Sequence, residues 1–333
     1  MALAAAAKPA LAERPAGAPV RVAAAASAFP AGVLDAVAAR TGCRVQVVPP
    51  LAPGAVPGAG IDIVELRGDE AGALVSSGRL ALIEERTVPG LGDVPSRLRD
   101  VVRDAGGGLR AIPYLWSPQL LLSRRSVYGA KPPASLRSLF SLRGAARAAL
   151  PDSPLELALA ARYLGLGDPF ALDRDELVAA RGVVTPAGPL LHLYRDAASL
   201  RSLFRRGVID LALGNPATLG DQRGKVVASL PREGTIATER VLGVVAGTRR
   251  AVCARRVAGG LLAPAAQARL ATVRGQVPVR TATCSALSES ACALLERALS
   301  RTLANSSMAV QPAASEGVTG WPEWVGEWVL LQG

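Results

Sequence analysis

The only histidine in this chain of 333 residues is His192. A zinc site with several histidine ligands is therefore excluded, and a Ser-His-Asp triad would have to use this residue. No Gly-x-Ser-x-Gly nucleophile elbow accompanies it, so we interpret His192 as a packed or surface side chain. Because no other catalytic constellation is present, the sequence predicts a protein that is not an enzyme and that holds no metal or cofactor.

The four cysteines offer a second kind of chemistry. Cys43, Cys253, Cys284 and Cys292 show no Cys-x-x-Cys spacing, and four cysteines in a chain of this length are not a disulfide framework. Buried free thiols are therefore the default interpretation. A single bridge, such as one between Cys284 and Cys292, is the alternative.

Three of the four tryptophans, Trp321, Trp324 and Trp328, lie near the carboxyl end. Spacings of three and four residues place them on one face of a helix, which Pro322 would begin. The simplest function of this face is to fix a C-terminal helix to the body of the protein. The alternative is a stripe that docks a partner or lines a ligand cleft.

The charge balance is strongly basic, with 38 lysines and arginines against 27 acidic residues and a formal net charge of +11. Only Lys8, Lys131 and Lys225 are lysines, and the arginines are scattered in pairs among apolar or small residues. A nucleic-acid-binding surface would instead concentrate cations and interleave them with aromatic residues. We therefore expect no nucleic-acid partner. A solvated basic surface is the main interpretation, and an anionic ligand or partner is the alternative.

The elements that position these residues must belong to more than one core, since a chain of this length suits two domains. The amino-terminal part predicts the order strand, helix, strand, loop, strand, helix, which is typical of a mostly parallel sheet. Further helices are predicted from Asp152 to Leu164 and from Tyr194 to Arg206. No stretch is long and apolar enough for a transmembrane helix. We interpret residues 1–18 as a flexible leader.

Several short motifs follow one another along the chain, and none is specific alone. In this order and spacing they resemble the type 2 periplasmic solute-binding proteins of ABC transporters, specifically the spermidine/putrescine-binding subgroup. The most specific motifs are Ala111-Ile112-Pro113-Tyr114-Leu115-Trp116 and Asp152-Ser153-Pro154-Leu155-Glu156. The motifs are Asp62-Ile63-Val64, Ala111-Ile112-Pro113-Tyr114-Leu115-Trp116, Ser135 to Phe140, Asp152-Ser153-Pro154-Leu155-Glu156, Tyr163-Leu164-Gly165, Phe204 to Leu213 and Pro231 to Thr235.

The resemblance implies an α/β fold of two interleaved lobes with a ligand cleft between them. Residues 19–117 and 241–285 would form lobe 1, residues 118–240 lobe 2, and residues 286–333 a C-terminal helical segment with the tryptophan-rich tail. Such proteins capture a small solute as the lobes close, and present it to an ABC permease. We expect the protein to act as a monomer.

The resemblance also implies a location, because the family is typically periplasmic or lipid-anchored. The chain has no lipobox cysteine near its first residues, and an organellar relative without its transit peptide would look the same. We therefore expect a periplasmic or otherwise extracytoplasmic protein. Membrane association and a plastid location are the alternatives.

The resemblance assigns ligand-binding functions to residues of the cleft. Aromatic faces would enclose the methylene chain of an amine, and carboxylates would fix its ammonium groups. Asp152 has the alternative function of a helix cap, and Glu156 that of a first-turn residue favoured by the helix dipole. The predicted ligand-binding residues are Ser27, Phe29, Glu65, Arg67, Asp69, Tyr114, Trp116, Asp152, Ser153, Glu156, Asn215, Glu239 and Arg240.

Two segments depart from the subgroup. Gly214-Asn215 stands where the subgroup has a tryptophan, and Thr238-Glu239-Arg240 stands where it has an aromatic residue and an aspartate. Two expected contacts to an amine are therefore missing, and one position carries the opposite charge.

The predicted function is that of a polyamine-type solute-binding protein of an ABC importer. One alternative is a relative that binds an anionic or other small solute through Arg67 or Arg240, and another is a scaffold or interaction protein on the same fold. Acidic residues clustered with Phe29 and Trp116 in the cleft would favour amines. Converging arginines would exclude them.

Overall fold

The computed structural model describes residues 17–52, 54–129, 131–142, 147–185, 190–222 and 224–332. The predicted leader lies outside the described residues except for its last two positions. The strands are β1 (Val20–Ala23), β2 (Val45–Val48), β3 (Ile63–Arg67), β4 (Ile112–Pro118), β5 (Leu120–Arg124), β6 (Ala148–Pro151), β7 (Leu191–Tyr194), β8 (Leu211–Gly214), β9 (Val226–Ser229), β10 (Thr235–Val244), β11 (Val277–Pro278) and β12 (Ser306–Met308).

The helices alternate with these strands in the first half of the chain, as the sequence predicts. They are α1 (Val33–Thr41), α2 (Gly68–Ser76), α3 (Ser96–Asp100), α4 (Arg125–Tyr128), α5 (Arg137–Phe140), α6 (Glu156–Leu164), α7 (Arg174–Val184), α8 (Ala197–Arg205), α9 (Ala251–Leu261), α10 (Pro264–Arg274), α11 (Glu289–Arg297) and α12 (Trp321–Val329).

The strands form two sheets, one for each lobe. The larger sheet has the order β11-β4-β10-β3-β1-β2, with β12 paired to β10, and the smaller has the order β7-β6-β8-β5-β9. In both sheets the βαβ units are parallel, since β1 pairs in parallel with β2 and β3, and β6 with β7 and β8. Parallel sheets of this kind are covered by helices on both faces. The fold is therefore a two-lobed α/β structure.

The lobes are interleaved, because the chain crosses between the sheets repeatedly. Gln119 joins β4 of the larger sheet to β5 of the smaller sheet, residues 230–234 return the chain to β10, and residues 309–320 lead from β12 to α12. Residues 235–240, which the sequence-based boundaries place in lobe 2, belong to β10 and pair within the larger sheet.

The C-terminal helix α12 lies where the tryptophan spacing predicts it. Trp324 and Trp328 are buried in the core of the smaller lobe, and Trp324 stacks near Phe170 with the ring centroids 6.2 Å apart. The Trp324 indole donates a hydrogen bond to Thr319 Oγ1 at 3.1 Å. This helix is thus a fixed part of lobe 2, as the simpler interpretation expects.

Local capping explains where two predicted helices begin and end. Helix α6 ends at Gly165, whose φ of 76° is left-handed and therefore suits glycine. The predicted helix from Tyr194 to Arg206 is wrong at its start, since Tyr194 belongs to β7. Helix α8 begins only after Asp196, because that side chain accepts a hydrogen bond from the Ser199 backbone in a capping box.

All four cysteines form disulfides. Cys284 is bonded to Cys292, as the alternative interpretation expects, but Cys43 is also bonded to Cys253 across 210 residues of sequence. The expectation of buried free thiols is therefore wrong. The long-range bridge joins the segment after α1 to α9, two helices that pack together in lobe 1. Two disulfides fit an oxidising compartment.

Among the described residues, no helix combines the length and the apolar character that crossing a bilayer requires.

The two disulfides close loops of very different length, and this difference predicts different stabilities. Replacing Cys43 and Cys253 by serine should lower the free energy of unfolding by about 5 kcal/mol, because the closed loop is long. The matched pair of substitutions at Cys284 and Cys292 should cost about 2.5 kcal/mol. Denaturant unfolding of both double variants measures the difference. Equal losses would contradict the topology described for the long-range bridge.

Candidate functional site

The cleft between the lobes lies at the carboxyl ends of parallel strands in both sheets. Residues after β1 and at the end of β3 face it from lobe 1, and residues after β6 and β8 face it from lobe 2. Ligand sites of open α/β sheets are commonly found at this edge. Two adjacent cavities occupy the cleft and share Ser117, Asn215, Arg240 and Gln276 as wall residues.

The first cavity, here called the arginine cavity, has a volume of about 550 Å³. Its charged wall residues are Glu65, Arg240 and Arg274, so two cations face one anion. The complete lining is Ala25, Ser27, Ala28, Glu65, Ser117, Asn215, Arg240, Val273, Arg274 and Gln276.

The carboxylate of Glu65 is the centre of this cavity. Its Oε1 atom lies 3.2 Å from Arg274 Nη1 and 3.6 Å from Arg240 Nη1, and it accepts a hydrogen bond of 2.8 Å from the Tyr114 hydroxyl. Arg274 Nη1 also donates to the Tyr114 hydroxyl at 2.6 Å and to the Ala28 carbonyl at 3.2 Å. The side chain of Glu65 is 5% exposed, whereas that of Arg240 is 31% exposed. Arg240 therefore remains accessible from the cleft.

The predicted aromatic residues lie beneath the cleft and do not line it. Every residue of β4 is buried, including Tyr114 and Trp116, because helices and neighbouring strands cover both faces of this strand. Phe29 is also buried and stacks near Tyr114, with the ring centroids 6.3 Å apart. Burial, with the adjacent charge of Glu65, raises the pKa of Tyr114, so its hydroxyl keeps its proton. These rings support the site from below and offer no face to a ligand in the cleft.

The second cavity, here called the Asp152 cavity, has a volume of about 260 Å³. Asp152 does not cap a helix, since α6 begins only at Glu156. Its carboxylate accepts hydrogen bonds from Trp328 Nε1 at 3.1 Å, Gln332 Nε2 at 2.7 Å and Arg195 Nε at 3.2 Å. The bond from the Trp328 indole is the main reason that the pKa of Asp152 is lowered. The lining is Arg67, Ser117, Pro118, Gln119, Pro151, Asp152, Ser153, Leu155, Glu156, Tyr194, Arg195, Gly214, Asn215, Thr238, Arg240 and Gln276.

Glu156 contributes a neutral carboxyl group to the Asp152 cavity. The residue is 1% exposed, and its Oε1 atom accepts a hydrogen bond of 2.9 Å from Gln119 Nε2. Burial raises the pKa of Glu156 to about 8, although the Gln119 hydrogen bond and Arg67 favour the charged form. At neutral pH this group is therefore mostly protonated.

Glu239 and Asp69 lie together behind the cleft wall. Glu239 is 1% exposed, and neither of its carboxyl oxygens has a hydrogen-bond partner among the described residues. Burial and then the charge of Asp69 raise its pKa well above the usual value. A Cβ atom on Gly68 would lie 2.4 Å from Glu239 Cγ, so α2 can begin against Glu239 only with a glycine at this position. Asp69 itself pairs with Arg67, at 2.9 Å.

The predicted residues thus fall into two groups. Those that line the cleft cavities are Ser27, Glu65, Arg67, Asp152, Ser153, Glu156, Asn215 and Arg240. Those that lie outside both cavities are Phe29, Asp69, Tyr114, Trp116 and Glu239.

Sequence reasoning missed several residues of the cleft walls, of which Arg274 is the most important. Arg274 is the last residue of α10, where a cation is favoured by the helix dipole, and Gly275 with φ of 62° ends the helix behind it. That local pattern predicts the end of a helix, but it does not show that the helix ends at the cleft. The other missed wall residues with polar or charged side chains are Ser117, Gln119, Tyr194, Arg195, Thr238 and Gln276.

Catalytic and metal chemistry find no support in the described residues. His192 is half-buried in β7, opposite Ala149. The group with metal-ligand spacing consists of Cys284, Cys292 and Glu296, and both of its sulfur atoms belong to a disulfide. A bonded sulfur cannot supply the thiolate that metal binding requires.

Comparison with known proteins identifies the family. A model of the bacterial extracellular solute-binding protein family matches residues 47–288, which is more than half of the chain. The chain belongs to this family, whose members are binding proteins and not enzymes. The chain is therefore a solute-binding protein of the extracellular type.

Solved structures of such proteins share the fold. One is the spermidine/putrescine ABC transporter substrate-binding protein PotD from Streptococcus pneumoniae, with a TM-score of 0.75, 12% identity, and coverage of 95% of this chain and 98% of that chain. Another is a putative spermidine/putrescine ABC transporter from Listeria monocytogenes, with a TM-score of 0.74 and 13% identity. The match covers 94% of this chain and 98% of that chain. A third is the Atu4243 GABA receptor, with a TM-score of 0.72 and 16% identity. The match covers 95% of this chain and 98% of that chain. At these identities the likeness concerns the fold alone.

The protonation of Glu156 predicts how stability depends on pH. A carboxyl with a pKa near 4.5 when unfolded and about 8 when folded stabilises the fold below pH 4.5, and this contribution is lost as the pH rises through 8. Between pH 5 and pH 9 the native protein should therefore lose stability relative to the Glu156→Gln variant, by at most about 5 kcal/mol. The comparison cancels groups common to both proteins, including Glu239.

Denaturant unfolding at several pH values provides the measurement. The Glu289→Gln variant, altered at an exposed position of α11, should follow the native protein at every pH. Parallel stability curves for the native protein and Glu156→Gln would show that Glu156 is ionised in the folded state.

Proposed function

We propose that this protein captures a small solute carrying a carboxylate and delivers it to an ABC permease outside the cytoplasm. The ligand carboxylate would lie in the arginine cavity, against Arg240 and Arg274. The observation that carries this proposal is the convergence of these two arginines on the single carboxylate of Glu65. We further propose that the protein acts as a monomer whose lobes close over the solute.

Charge in the arginine cavity supports an anionic ligand. Arg240, Arg274 and Glu65 together leave one positive charge, and an incoming carboxylate would neutralise it. Guanidinium groups bind carboxylates through paired, charge-assisted hydrogen bonds, which are stronger than neutral ones. An anion would also approach with the field of the whole protein, whose formal charge is +11.

The same cleft is poorly suited to polyamines. Phe29, Tyr114 and Trp116 are buried, so these rings offer no face for a methylene chain. Glu156 is mostly neutral at pH 7, and the carboxylate of Asp152 already accepts three hydrogen bonds from protein groups. An ammonium group would therefore meet few unpaired negative charges in the cleft.

The fold is compatible with ligands of this class. The similar GABA receptor is named for a ligand that carries a carboxylate, whereas PotD is named for polyamines. These names describe those proteins and show that one architecture accepts both kinds of solute. The choice between them depends on the side chains of the cleft.

Calorimetric titration with three classes of solute tests the proposal. We expect binding of at least one carboxylate among γ-aminobutyrate, glutamate, succinate and butanoate, and no binding of putrescine or spermidine. The Arg240→Met variant should bind that carboxylate about 10- to 100-fold more weakly, because one charge-assisted hydrogen bond is lost. Phosphate and sulfate form the third class and separate carboxylate recognition from general anion binding.

The matched control is Arg249→Met, an exposed arginine outside both cleft cavities, which should leave affinity unchanged. Tight binding of putrescine or spermidine, undiminished in Arg240→Met, would contradict the proposal and favour the polyamine function. Absence of binding for every class would favour the scaffold alternative.

A further inference from the structure

A third cavity, here called the apolar cavity, adjoins the cleft and has a volume of about 510 Å³. Most of its lining is aliphatic, and its one charged wall residue is Arg297. The lining is Pro118, Leu120, Asn215, Pro216, Ala271, Thr272, Gly275, Gln276, Val277, Pro278, Leu287, Ala291, Leu294, Leu295, Arg297, Ala298 and Thr302.

The walls of the apolar cavity come from both lobes. Leu120 and Pro216 belong to the smaller-sheet side, whereas α10, β11 and α11 belong to the larger-sheet side. The disulfide between Cys284 and Cys292 fixes the turn before α11 to that helix. Leu294 of α11 lines the cavity and is 63% exposed.

One layer of polar side chains separates the apolar cavity from the arginine cavity. Asn215 and Gln276 line both cavities, and each donates a hydrogen bond to Ser117 Oγ, at 3.2 Å and 3.1 Å. The Oε1 atom of Gln276 is buried without a hydrogen-bond partner in the described structure. None of these three side chains is charged. Displacing one of them would therefore break hydrogen bonds but would leave no buried charge without its partner.

Three consecutive residues connect the charged surface of the arginine cavity to the aliphatic surface of the apolar cavity. Arg274 faces the arginine cavity, while the next two residues, Gly275 and Gln276, line the apolar cavity. Apart from Ala25, Ala28 and Val273, every residue that lines the arginine cavity is polar or charged, whereas most residues of the apolar cavity are aliphatic. A ligand with a carboxylate at one end and an aliphatic chain at the other would match both surfaces at once.

We propose that the solute is an amphipathic monocarboxylate, whose head binds Arg240 and Arg274 and whose aliphatic chain enters the apolar cavity past Asn215 and Gln276. This inference rests on the proposed function and narrows its ligand class. The head is held by charge, and the chain is held by burial of its methylene groups, so affinity depends on chain length.

Calorimetric titration with butanoate, hexanoate, octanoate and decanoate tests this inference. Affinity should rise about 2- to 4-fold for each added methylene that is buried. The Ala291→Phe variant fills the apolar cavity from α11 and should abolish the dependence on chain length. Ala293→Phe places the same ring at an exposed position of the same helix, outside the cavity, and should keep that dependence.

Ala271→Leu, on the α10 wall, provides a second filling variant with a smaller side chain, and unfolding midpoints verify that each variant is folded. A native protein that binds short and long carboxylates equally would overturn the inference while leaving the carboxylate proposal standing. An equal rise with chain length in the filling variants and in Ala293→Phe would overturn it as well. Failure of all carboxylates to bind would remove both proposals.

Discussion

The buried carboxylate of Glu65 is the contact on which the geometry of the cleft depends. It comes from β3 and joins the Tyr114 hydroxyl of β4, Arg240 of β10 and Arg274 at the end of α10. An ion pair taken out of water is costly unless its hydrogen bonds are well satisfied, so these four elements are constrained to one arrangement. Because Glu65 is one anion facing two cations, this constraint also leaves the cavity with a positive charge.

That constraint also explains why the predicted aromatic box is absent. The Tyr114 hydroxyl is directed to Glu65, and Phe29 packs beside the Tyr114 ring. Trp116 is buried in the same strand, which belongs to a sheet covered on both faces. Rings that would enclose an amine in an open cleft instead form the floor beneath two arginines. The +11 charge, which the sequence alone explains as a solvated surface, therefore has a local counterpart in the cleft.

Much of the architecture follows from sequence, and the site follows only in part. Alternating strands and helices predict parallel sheets, and residues placed at or just after strand ends, such as Ser27, Arg67 and Asn215, do line the cleft. The orientation of Tyr114 and Trp116 could not be predicted, since β4 is buried on both faces and shows no alternation. Arg274 is about 210 residues from Glu65 in the sequence, and Cys253 is equally far from its partner Cys43. Local sequence patterns do not report such long-range pairings. Glu156 lines the Asp152 cavity, but its neutral state depends on burial, which spacing does not reveal.

Identification of the solute retained by the native protein tests the central claim most directly. Protein isolated from its natural source without denaturation, and analysed by mass spectrometry of the released small molecules, reports the ligand without any prior choice of candidates. The account predicts a molecule that carries a carboxylate and is bound at one copy per protein. Recovery of putrescine or spermidine at one copy per protein would contradict the account, because it would require ammonium groups to bind beside Arg240 and Arg274.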